Sequence, residues 1–84
     1  MKYRIVIRHN AEKELGRLGH EEQRRIAKKL LLLENDPFPA GAITLQGRPG
    51  YRIRIGDYRV LYEVDGPSKL VNITAIGHRR DVYR

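Results

Sequence analysis

Tyr51-Arg52-Ile53-Arg54-Ile55-Gly56-Asp57-Tyr58-Arg59-Val60-Leu61-Tyr62-Glu63-Val64 decides how this chain folds. Tyr51, Ile53 and Ile55, and then Tyr58, Val60, Tyr62 and Val64, recur at every second position, the period of a strand with one covered face. Gly56-Asp57 between the two runs is a two-residue link of the kind that reverses a hairpin. The stretch therefore reads as antiparallel strands over 51–55 and 58–64. If the apolar parity is covered, Arg52, Arg54 and Arg59 are forced to the opposite face, because side chains alternate across a strand. Like charges placed side by side repel, so three guanidiniums on one open face call for an anion. The bland alternative is a solvated face whose charge Asp57 and Glu63 partly neutralise.

Outward from the hairpin, Asp65-Gly66-Pro67-Ser68 makes the next turn, and 70–76 is a last strand ending at Gly77 before a polar tail, His78-Arg79-Arg80-Asp81-Val82-Tyr83-Arg84. On the other side, 42–45 is a short strand and Gln46-Gly47-Arg48-Pro49-Gly50 a turn. Pro37-Phe38-Pro39-Ala40-Gly41 is a connection and separates the strands from a helical half. Asn10 is expected as an N-cap, with Ala11, Leu15 and Leu18 at helical spacing and Gly19 as the stop. A second helix begins near Glu21 and Glu22, turns Ile26, Leu30 and Leu33 inward, and ends at Asn35-Asp36-Pro37, where proline cannot continue it. Leu30 to Leu33 give more apolar arc than one stripe needs, so at least one of them faces outward. Tyr3 to Ile7 forms a first strand. The order is one strand, a helix hairpin and an antiparallel meander, which reads as a two-layer α+β fold with the helices on one face of the sheet.

With 84 residues the chain has room for a single domain, 1–84, and without cysteine neither disulfides nor thiolate sites contribute. No stretch has the apolar run of a signal peptide or of a membrane span, so a cytoplasmic location and no membrane partner are expected. The formal net charge is +7, and twelve of the seventeen cationic residues are arginine. Guanidinium stays charged, forks onto phosphate oxygens and stacks on bases, so this bias points to nucleic acid. No histidine–carboxylate group has metal-ligand spacing, and Gly47 and Gly50 flank a turn and open no helix, so neither a metal nor a phosphate-loop cofactor is expected. His9 and His20 read as structural or solvent-exposed.

Two segments, Leu45-Gln46-Gly47 with Tyr51 to Tyr62, and Ile76-Gly77-His78-Arg79-Arg80-Asp81-Val82-Tyr83, taken with the order of elements, resemble the RelE messenger-RNA interferases of the RelE/ParE toxin superfamily. The resemblance implies a type II toxin that cuts ribosome-bound messenger RNA by attack of a ribose 2′-hydroxyl on the adjacent phosphate, without a metal. It implies that Arg59 stabilises the transition state, helped by Arg79 or Arg80, and that Arg48, Arg80 and Arg84 contact RNA. Arg52 and Arg54 stand where the best-known member has lysines. A guanidinium does not release its proton near neutral pH, which draws attention to His78 and Tyr83 for proton transfer. Tyr83 alternatively stacks on a splayed base, and His78 is alternatively a surface residue of a basic tail. An acidic, RelB-like antitoxin is the implied partner beside ribosome and message, and the basic face and surplus leucines suit such a chain. Competing readings are a ParE-like DNA gyrase inhibitor and an inactive RNA-binding relative. ParE-like proteins usually carry a longer helix hairpin than this one.

Overall fold

The computed structural model describes residues 2–78. Its elements run β1 (Arg4–Ile7), α1 (His9–Gly16), α2 (His20–Leu32), β2 (Ile43–Thr44), β3 (Tyr51–Ile55), β4 (Tyr58–Asp65) and β5 (Leu70–His78). The strands form one sheet in the order β1-β5-β4-β3-β2. The meander β2 to β5 is antiparallel, and β1 joins its far side parallel to β5, pairing Ile5 with Val71 and Ile7 with Ile73. The two-layer α+β architecture expected from the sequence is thus present, with a mixed sheet that local patterning does not reveal.

The hairpin β3–β4 pairs Tyr51 with Tyr62, Ile53 with Val60 and Ile55 with Tyr58 on the helix side. These residues pack with Ala11, Ile26, Leu30 and Leu33 of the helical layer and with Val71, Ile73 and Ile76 of β5. Each layer thereby hides its apolar side against the other. Leu31 and Leu32 are 58% and 59% exposed, so two of the four consecutive leucines face outward.

Both helix boundaries differ from expectation. Arg8 donates its N–H to the Ile73 carbonyl at 2.9 Å, continuing the β1 ladder in an extended conformation, so α1 starts at the next residue and Asn10 lies inside the helix. Gly19 does not stop α1, which ends at Gly16; it is the extended N-cap residue of α2. Gln23 makes the glycine stop unnecessary. Its Nε2 donates to the Leu15 and Leu18 carbonyls at 3.2 and 3.0 Å, satisfying acceptors that a helix end leaves open.

In β5 the register slips: Leu61 pairs with Ala75 while Tyr62 pairs with Ile73, leaving Thr74 as an extra residue. Thr74 Oγ1 donates to the Leu61 carbonyl at 3.2 Å. Beyond Ile73, where β1 has ended, the outer edge of β5 is met by α1, and the Ile76 N–H donates to Glu14 Oε1 at 2.7 Å. At the opposite end of the sheet, Tyr51 and Tyr62 stack with ring centroids 5.7 Å apart, Phe38 meets Tyr51 edge-on at 5.2 Å, and the Tyr62 hydroxyl donates to the Pro37 carbonyl at 2.8 Å. This hydrogen bond fixes the connection between the two halves. Among the described residues no helix is long and apolar enough to cross a membrane.

Candidate functional site

On the face away from the helices, the β3–β4 register sets Arg52 opposite Leu61 and Arg54 opposite Arg59. Strand alternation therefore orients these residues as the sequence predicts. The side chains themselves divide. Arg52 and Arg59 line one groove of about 540 Å³ together with Arg48, Gln46, Thr44, Ile43 and Leu45. Arg54 turns away around the edge of β3, where its Nε donates to the Gly56 carbonyl at 3.3 Å and its guanidinium lines a separate cleft beside α2. The expected threefold convergence of residues 52, 54 and 59 is thus corrected to Arg52 and Arg59 with Arg48. Parity fixes a Cβ direction, and a side chain as long as arginine has reach enough to swing its charge to a neighbouring surface.

The turn after β2 shapes this groove. Leu45 N–H donates to the Gly50 carbonyl at 3.0 Å, and Gly50 adopts φ +116°, a conformation open to glycine. A Cβ there would stand 2.9 Å from the Tyr62 carbonyl oxygen, so the turn lies against β4 and any side chain would lift it off. Leu45, Arg48 and Pro49 reach over Leu61, which is only 4% exposed although it sits on the side opposite the helices. Leu45 and Arg48 are common to the groove and to an adjoining depression of about 450 Å³ that includes Glu63, Thr74, Asn10 and Glu14. Sequence reasoning missed this second depression, because it depends on the folded-back turn and on the β5 bulge.

Every charged residue lining the groove is an arginine. Among the described residues its lining supplies charge stabilisation for a bound anion, and no histidine or carboxylate to accept a proton. Arg59 is half-buried, which strengthens the field of its charge relative to one in open water. His78 belongs to β5, contrary to the expected tail: it pairs with Tyr58 and meets that ring edge-on at 5.9 Å. Tyr58 packs on the helix-side core, so His78 lies on the opposite face of the sheet from the groove. Arg79, Arg80, Tyr83 and Arg84, expected to complete the site, lie outside the described residues.

The open basic face on a mixed sheet under a helix hairpin defines the class: the chain belongs to the RelE/ParE toxins of type II toxin–antitoxin systems. Residues 5–83 match the family described as ParE toxin of type II toxin-antitoxin system, parDE. The individual relatives carry RelE names. The chain is 26% identical over 88 residues to a putative toxin RelE1 of Methanocaldococcus jannaschii, covering all of this chain and 98% of that protein. Among solved structures, an archaeal RelE–RelB complex from Pyrococcus horikoshii OT3 superposes with a TM-score of 0.84 at 33% identity, covering 96% of this chain and 99% of that one. The intact Escherichia coli RelBE toxin–antitoxin complex gives a TM-score of 0.79 at 28% identity, with 90% and 95% covered.

Proposed function

We propose that this toxin is a ribosome-dependent endoribonuclease that cleaves messenger RNA without a metal, acts in the cytoplasm, and is held inactive by an acidic RelB-like antitoxin. The observation that carries the reading is the groove whose charged lining is Arg48, Arg52 and Arg59. In the proposed reaction a ribose 2′-oxygen attacks the adjacent phosphorus and loses its proton, while the P–O5′ bond breaks and the departing oxygen gains one. The products are a 2′,3′-cyclic phosphate and a 5′-hydroxyl. Negative charge grows on the phosphorane oxygens during the attack, and fixed guanidiniums aimed at that charge lower the barrier. Arg52 and Arg59 take this role. Arg48, which also lines the groove, holds a flanking phosphate. Arg79 or Arg80 shares the stabilisation, Arg84 adds a backbone contact, and Tyr83 moves a proton or stacks on a base. The antitoxin reading draws on the RelB complexes in which the related toxins were solved, and on a net charge of +7 that favours an acidic partner.

Arg59→Ala tests the reading. Removing a single stabilising group of this kind lowers turnover roughly 10²- to 10³-fold, so primer extension on translated message should lose its cuts while circular dichroism stays unchanged. Arrest of translation at the wild-type rate by that variant would refute the site. The description of the matching family as ParE toxins supports a second reading, inhibition of DNA gyrase. Helices of 8 and 13 residues make a short hairpin, and this favours the nuclease. Supercoiling by gyrase assayed with the same preparation separates the two. RNA binding without any cut would instead mark an inactive relative.

A further inference from the structure

Arg54, which strand parity assigns to the open face and the groove does not contain, occupies a cleft of about 410 Å³ between α2 and the end of β3. The cleft takes its charge from Arg25, Lys28, Lys29 and Arg54, and no acidic residue lines it. Arg25, Lys28 and Lys29 stand at i, i+3 and i+4 of α2, so one side of the helix presents all of them. Gly56 draws the two guanidiniums together. Its carbonyl accepts from Arg54 Nε at 3.3 Å, and a Cβ built on it would lie 2.7 Å from Arg25 Nη1, so Arg25 rests directly against its backbone. Leu32, Ile55 and the aliphatic stems of the cations form the floor.

Four cations gathered from a helix and a strand, with no acidic residue lining the cleft, set up a positive field that a bound anion neutralises. We propose that this cleft is a second phosphate-binding site, which grips the RNA backbone outside the groove where cutting takes place. The ligand rests on the RNA-cutting reading. Two planar forks against one glycine match phosphate oxygens better than they match scattered peptide carboxylates. Placement agrees as well: Arg54 is the direct cross-strand partner of Arg59, so groove and cleft adjoin across the edge of β3 beyond β2. An RNA strand lying in the groove crosses that edge to bring its next phosphates onto α2. The toxin thereby holds message on both sides of the scissile bond.

The test is fluorescence anisotropy of a short, labelled, 2′-O-methyl RNA oligonucleotide, which cannot be cut, titrated with the full chain over a range of NaCl concentrations. For single strands the slope of log K against log salt falls by about 0.7 for each phosphate that the protein ceases to neutralise. Arg25→Gln/Lys28→Gln/Lys29→Gln should therefore lower its magnitude by about 2, and Lys28→Gln alone, at an exposed position, by about 0.7. A wild-type slope in both variants overturns the site. Intact RNA binding with reduced affinity for a glutamate- and leucine-rich peptide overturns the ligand and assigns the cleft to an acidic protein segment. Absence of cleavage by the wild-type protein bears on the nuclease reading alone, because the binding slope is read without turnover.

Discussion

Tyr62 shows how much one side chain decides. It is fully buried, and its hydroxyl donates to the Pro37 carbonyl across 25 positions of sequence. Burial pushes its pKa up from 10.0 to about 12, with smaller contributions from Tyr51 and Asp36. The unfolded chain gives up this proton first as pH rises above 10, whereas the folded chain keeps it. Stability is therefore fully present below pH 10 and falls as pH climbs toward about 12. Tyr62→Phe should remove that component of the alkaline loss in pH-dependent urea melts. At neutral pH the same variant should cost about 0.5–1.5 kcal/mol, the net worth of an intramolecular hydrogen bond.

At the scale of elements, the helix pair does two jobs with different residues. Its apolar side covers the sheet, and Glu14 supplies an acceptor to the Ile76 amide that no strand provides. Glu14→Ala should leave that amide without its acceptor, cost about 1–3 kcal/mol, and speed hydrogen exchange at Ile76 more than at Val60 in the sheet interior. Unchanged exchange at Ile76 would show that the cap contributes nothing. Within α2 the consecutive leucines separate cleanly. Leu30, 3% exposed, should lose about 2–5 kcal/mol on replacement by alanine, because a cavity opens beneath the sheet. Leu31→Ala, on the outer side, should change stability by less than about 0.5 kcal/mol in the same melts.

For the molecule as a whole, local alternation made β3 legible to the residue and placed β4 and its Arg59 on the correct sides. Turn chemistry and the proline at 37 located the break between halves. Three features escaped because their causes are distant or rotameric. Parallel pairing of β1 with β5 joins residues more than sixty positions apart. β5 runs on to His78, and the slip at Thr74 sends that histidine to the helix side, a result no window of local sequence contains. The swing of Arg54 toward Gly56 depends on space beside α2 that exists only after folding. Of the candidate site, Arg48, Arg52 and Arg59 and the open face they line were legible. Its division into groove and cleft was not.

The carboxylate of Glu14 on the Ile76 amide has a further consequence for life in a crowded cell. A bare margin of β5 would offer its amides as a template on which a second copy could lay down its own backbone. Because the helical turn that follows β1 already occupies that margin, strand addition by a second copy is blocked there.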